Sequence, residues 1–140
     1  MKYINLIIIL AAVILFESCT KTQQKNSACG TQVCSAIFAA VGIHYTDNTG
    51  KPIAVSNFTV FDVTSNKQLY PGVPNWDLVL GYYIVASDSN IKDYSTDGDI
   101  IKVSATDSAT GQTKTVNLKI SGGCNCHVAR LSGPDTVAFD

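Results

Sequence analysis

The chain has 140 residues, a formal net charge of −1 and 46% apolar residues. That length fits one domain, and the interspersed, near-neutral charge holds no basic block, so nucleic acid is not an expected partner. With two histidines and no GxSxG, HExxH or phosphate-cradling glycine loop, the sequence predicts a non-enzymatic protein with no cofactor.

The first element is a leader. Lys2 precedes an apolar run over residues 4–16, and Glu17, Ser18 and Cys19 follow it. A spanning helix needs about 20 apolar residues, whereas a shorter run suits the hydrophobic part of an export signal. Phe16-Glu17-Ser18-Cys19 resembles a relaxed form of the lipobox of bacterial lipoproteins, in which a small residue precedes the modified cysteine. The resemblance implies cleavage after Ser18, lipidation of Cys19 and a membrane anchor. Several acyl chains hold stably where one is marginal, at about 0.8 kcal/mol per buried CH₂. By the same resemblance, Thr20 after the cysteine points to the outer membrane, and Lys21 and Lys25, with no acid near, point to its periplasmic face. The expected organisation is a signal over 1–18, a lipidated Cys19 and flexible tether over 19–28, and a domain over 29–140.

With Cys19 set apart, Cys29, Cys34, Cys124 and Cys126 form an even set in an exported chain, which reads as two disulfides. A Cys124–Cys126 bridge would strain an extended segment, so each member of the first pair is expected to join one of the second. Which joins which is left open. The competing reading is a zinc or copper site built from these thiolates and His127. In a strand His127 would face away from Cys124 and Cys126, and an oxidising compartment would remove the thiolates.

Residues 35–45 alternate, with Ile37, Ala39, Val41, Ile43 and Tyr45 on one face, and predict a strand. The turn Asp47-Asn48-Thr49-Gly50-Lys51-Pro52 leads to a second strand over 57–63, and residues 65–67 turn the chain. Pro71, Gly72 and Pro74 make 69–75 a loop, and 76–80 a short strand at most. Residues 82–86 predict a strand and 87–98 a long polar loop. Residues 99–106 place Ile101, Val103 and Ala105 inward, and 113–121 repeat the pattern. Strands over 124–131 and 136–139 complete the set. No segment carries a helical stripe, so the expected fold is all-β, a single sandwich of about seven or eight short strands.

Asp47 to Ile53 followed by Phe58-Thr59-Val60 resembles the start of carboxypeptidase regulatory-like domains, where a strand, a D-x-x-G-x-P turn and a second strand recur. The later Gly81-Tyr82-Tyr83-Ile84-Val85, Cys126-His127-Val128 and Ser132-Gly133-Pro134 are similar to small lipoproteins carrying such domains. The resemblance implies an immunoglobulin- or transthyretin-like sandwich without catalytic residues.

Two further features invite ligands. Tyr70, Trp76, Tyr82 and Tyr83 form an aromatic-rich stretch that offers a surface for a carbohydrate or peptide, although Trp76 equally suits the core. Asp93, Ser95, Asp97 and Asp99 alternate as in the first half of a calcium loop, but Ser104 stands where a bidentate Glu belongs, so a solvated acidic loop is expected instead. The sequence therefore predicts an accessory or interaction module anchored in the envelope, whose partner is a protein or glycan, or alternatively a carbohydrate- or peptide-binding module.

Overall fold

The computed structural model describes residues 29–70 and 81–140. The leader, Cys19, the tether and Trp76 lie outside the described residues. The described residues form eight strands: β1 (Ala40–Thr46), β2 (Val55–Asp62), β3 (Lys67–Leu69), β4 (Tyr82–Ser87), β5 (Asp99–Asp107), β6 (Thr113–Ser121), β7 (Ala129–Ser132) and β8 (Thr136–Ala138). The short strand expected over 76–80 lies outside the described residues. The eight make two sheets, β4-β1-β8 and β3-β2-β5-β6-β7, which share one apolar core in an all-β sandwich. Every pairing is antiparallel except β1 with β8.

The period-two pattern explains which side chains enter the core. Ile101, Val103 and Ala105 of β5 are fully buried, as are Leu118 and Ile120 of β6, while Lys102 faces out. From the opposite sheet come Val41, Ile43 and Tyr45 of β1, Val85 of β4, and Val137 with the neighbouring Phe139. Burying one such side chain fully contributes about 1.5–3 kcal/mol. The longest hairpin, β5–β6, turns where the Asp107 carboxylate accepts from the Ala109 N–H at 2.9 Å and the Thr110 hydroxyl at 2.6 Å.

Several expected elements change at their ends. The first strand starts at Ala40 rather than residue 35, and Ile37 and Phe38 are exposed. Their alternation is real, but Cys34 is bridged elsewhere and the Ala39 N–H donates to Asp88 at 2.8 Å, so this stretch has no strand partner. The second strand begins earlier, at Val55, and bulges between Ser56 and Thr59, where Asn57 takes a φ of 51°. Lys67–Leu69 is a strand because Asp62 closes the turn before it, accepting from the Thr64 N–H at 2.8 Å and the Ser65 hydroxyl at 2.5 Å. The polar loop after β4 holds a short 3₁₀ helix, Asp88–Asp93. Residues 124–127 are turn and bend rather than strand, because the two disulfides and the packing of Gly122 and Gly123 on Ile91 and Thr96 redirect the chain.

Candidate functional site

Among the described residues, two places stand out for combining polar side chains from distant parts of the chain. The first is a clamp at the base of the N-terminal segment. Cys29 bridges Cys124 and Cys34 bridges Cys126, with Cα–Cα distances of 5.2 Å in both. Each early cysteine thus joins a late one, which closes off a thiolate metal site. The bridges hold Ser35 beside His127. The Ser35 Oγ and His127 Nε2 are 2.9 Å apart, and His127 Nδ1 lies 2.7 Å from Asp88 Oδ2.

Asp88 opens the 3₁₀ helix, and its carboxylate is tied on both oxygens. Oδ2 accepts from the Ala39 N–H and Oδ1 accepts from the Val128 N–H at 2.9 Å. Burial works against its charge, yet the Ala39 N–H, His127 and the Val128 N–H outweigh burial and hold the carboxyl below the usual aspartate range. An ionised carboxylate only accepts hydrogen bonds, so His127 carries its proton on Nδ1. In the neutral imidazole Nε2 then accepts from the Ser35 hydroxyl.

The second place is an open cleft of about 430 Å³ on the outer face of the three-stranded sheet, lined by Gly42, His44, Tyr82, Arg130 and Asp135 among others. Gly42 and His44 alternate outward along β1, opposite the buried Ile43 and Tyr45. Tyr82 lies against Gly42 and meets the His44 ring at a centroid distance of 4.6 Å. Arg130 of β7 crosses from the other sheet and donates to the Gly42 carbonyl. The cleft therefore offers a planar aromatic, an imidazole and both signs of charge, the mixture that orients a polar ligand carrying some apolar surface.

Of the four aromatic residues predicted as one surface, the structure describes Tyr70, Tyr82 and Tyr83, and it separates Tyr82 from Tyr83. Tyr82 lines the cleft, but Tyr83, its neighbour along β4, faces inward by the period of the strand. The Tyr83 ring packs on Tyr45 and Phe58 at 5.6 and 5.3 Å, and its hydroxyl accepts from the Val55 N–H at 2.9 Å. Tyr70 is 77% exposed at the end of β3, and Trp76 lies outside the described residues.

In the acidic loop, Asp93 pairs with Lys67 at 3.3 Å. Asp99 turns inward and accepts from the Ser95 N–H at 2.6 Å and the Ser95 hydroxyl at 2.8 Å, while Asp97 is exposed. The loop is thus closed by its own Ser95–Asp99 contacts. Among the described residues no three His, Cys, Asp or Glu side chains converge as a metal site would require.

Sequence reasoning missed Ser35, Asp88, Arg130 and Asp135, and weighed His127 only as a metal ligand. No local spacing could have found these groups, because the contacts span 39 to 92 residues. No protein-family model, curated protein or solved structure matches the chain.

Proposed function

We propose that this chain is a lipid-anchored envelope protein, held through Cys19 at the periplasmic face of the outer membrane, that serves as an accessory or interaction module. Its sandwich is then of the immunoglobulin or transthyretin kind. The observation that supports this reading best is the double disulfide clamp. It fixes the segment that follows the tether to the turn after β6, and such bridges persist only in an oxidising compartment. A domain held by a lipid at its N-terminal end bears load at this point, and the clamp passes that load into the sheet. Replacing Cys19 with Ser should move the protein from the membrane fraction to the soluble one and remove the acyl mass. Continued membrane association of Cys19→Ser would overturn the anchor.

The cleft favours a second reading, binding of a glycan or peptide. Tyr82, His44, Arg130 and Asp135 gather there although they are far apart in sequence. Titration with soluble envelope glycans and with peptides, followed by amide shifts, should move the signals of His44 and Tyr82. Unchanged signals with every ligand would exclude the cleft as the binding surface.

A further inference from the structure

The clamp holds more than a structural contact needs. We infer that Ser35 is a nucleophile, with His127 as its general base and Asp88 as the residue that positions His127, and that the site acts on esters with an apolar acyl group. This goes beyond the interaction-module reading and stands independently of the anchor.

The geometry supplies each part of the chemistry. The Ser35 hydroxyl is within hydrogen-bond reach of a ring nitrogen that has a lone pair, at 2.9 Å. The other ring nitrogen is fixed by a carboxylate at 2.7 Å, and that carboxylate is itself fixed by two main-chain N–H groups. This connectivity, hydroxyl to Nε2 and Nδ1 to carboxylate, is the arrangement by which serine is activated on unrelated folds, recognised by geometry and not by chain position. It is preorganised as well, because Cys34 and Cys126, the residues that precede Ser35 and His127, are bridged to each other.

Ser35 is also accessible, and main-chain donors without an intramolecular acceptor among the described residues lie beside it. Ser35 is exposed, whereas the Asp88 and His127 side chains retain only 16% and 27% of their exposure. Among the described residues, the main-chain N–H groups of Ser35 and Ala36 donate to no other group, and both residues are exposed. The N–H of the residue after a nucleophilic serine is a recurrent donor to the developing oxyanion. Val33, Ile37 and Phe38 surround Ser35 in sequence and are exposed apolar side chains, which suit an apolar acyl chain better than a charged one.

The reaction balances with water as the co-reactant. The Ser35 Oγ bonds to the ester carbonyl carbon while its proton passes to His127 Nε2. The tetrahedral adduct collapses, the bond from carbon to the alkoxy oxygen breaks, and the departing alcohol takes the proton from His127. Water then attacks the acyl-serine with His127 again as base, which releases the acid and restores the Ser35 hydroxyl. Asp88 stays ionised throughout and stabilises the imidazolium.

The test uses the mature protein with both bridges intact and an alkyl fluorophosphonate, which loses fluoride on capture by an activated serine. The expected result is a single adduct on the peptide holding Ser35, and release of nitrophenol from p-nitrophenyl butyrate. His127→Gln should slow both by on the order of 10²-fold or more, and Ser35→Ala should abolish both. Asp88→Asn should slow the labelling and alter its pH profile, a readout that a purely structural carboxylate would leave unchanged. Near-UV circular dichroism and thiol titration identify variants that remain folded and bridged. No adduct at Ser35 between pH 6 and 9 would overturn the inference, as would a folded His127→Gln variant labelled at the parent rate.

Discussion

The Tyr82 ring occupies the space a side chain at Gly42 would need: a Cβ there would stand 2.4 Å from the ring. Gly42 sits on β1 and Tyr82 on β4, so the absence of one side chain makes room for another across the strand pair. The atoms met are at the far end of Tyr82, which can swing outward. Gly42→Ala is therefore expected to cost little stability, about 1 kcal/mol, and to break the contact of Tyr82 with His44. Thermal melting should show a small change while the ring-current shift of His44 is lost. A large drop in Tm would mean that Tyr82 cannot move.

The two disulfides interleave in sequence, Cys29–Cys124 overlapping Cys34–Cys126, and their contributions are expected to be far from additive. Alone, either closes a loop of more than 90 residues, with sequence separations of 95 and 92. Once one is made, the other closes a ring of only a few residues. On the chain-entropy model, losing one bridge costs about 2.5 kcal/mol and losing both about 7 kcal/mol. Urea unfolding of the Cys29→Ala/Cys124→Ala variant, the Cys34→Ala/Cys126→Ala variant and the fourfold variant measures this. Equal steps for the first and second loss would contradict the loop arithmetic of the interleaved bridges.

Tyr45 is 1% exposed, and among the described residues its hydroxyl has no hydrogen-bond partner. Burial, with Tyr83 near, pushes its phenol well above the usual range, so it stays neutral at any working pH. Removing an unsatisfied buried hydroxyl while keeping the ring removes a desolvation penalty. Tyr45→Phe should raise stability by about 1 kcal/mol, read as a higher denaturation midpoint with an unchanged m value. A loss of stability would show that the hydroxyl has a partner, such as an ordered water.

Acid should weaken the fold in a defined window. The carboxyl of Asp47 is lowered by the Thr49 hydroxyl and the Lys51 N–H, that of Asp107 by the Thr110 hydroxyl and the Ala109 N–H, and that of Asp88 by its clamp despite burial. A carboxyl lowered in the folded state contributes stability above its unfolded value and loses it as pH falls through the folded value. Stability should therefore be flat from neutral pH to about 5 and fall below about pH 4. Asp88→Asn should make that fall shallower in acid unfolding followed by circular dichroism, and an unchanged slope would remove Asp88 from the account.

Strand positions were legible in the sequence wherever alternation coincided with a buried face. Ile101, Val103 and Ala105 show this, as do Val41, Ile43 and Tyr45. Alternation misled at Ile37, because periodicity reports a face and not whether a neighbouring strand exists to pair with it. Turn chemistry was readable at Asp47, whose carboxylate caps its own loop through Thr49 and Lys51. At 124–127 the composition favoured a strand, and the covalent bridges overrode it. The four cysteines indicated the bridges, but the pairing is a property of the folded chain. The Tyr82 cleft and the Ser35–His127–Asp88 cluster were illegible because each is assembled by sheet topology from segments with no pattern in common.

The parallel pairing of β8 with β1 has a consequence for how the protein is made. His44, Tyr45 and Thr46 lack one neighbour until Thr136, Val137 and Ala138 have been synthesised, and both bridges need cysteines beyond residue 120. While the chain is still emerging, the first strand has β4 as a neighbour but not β8. A polypeptide threaded through a membrane channel from its N-terminal end would thus complete its three-stranded sheet only after β8 arrived. Were the chain exported unfolded, as the proposed anchor requires, delayed closure would suit that transit, at the cost of a long exposure of β1 before its partner is in place.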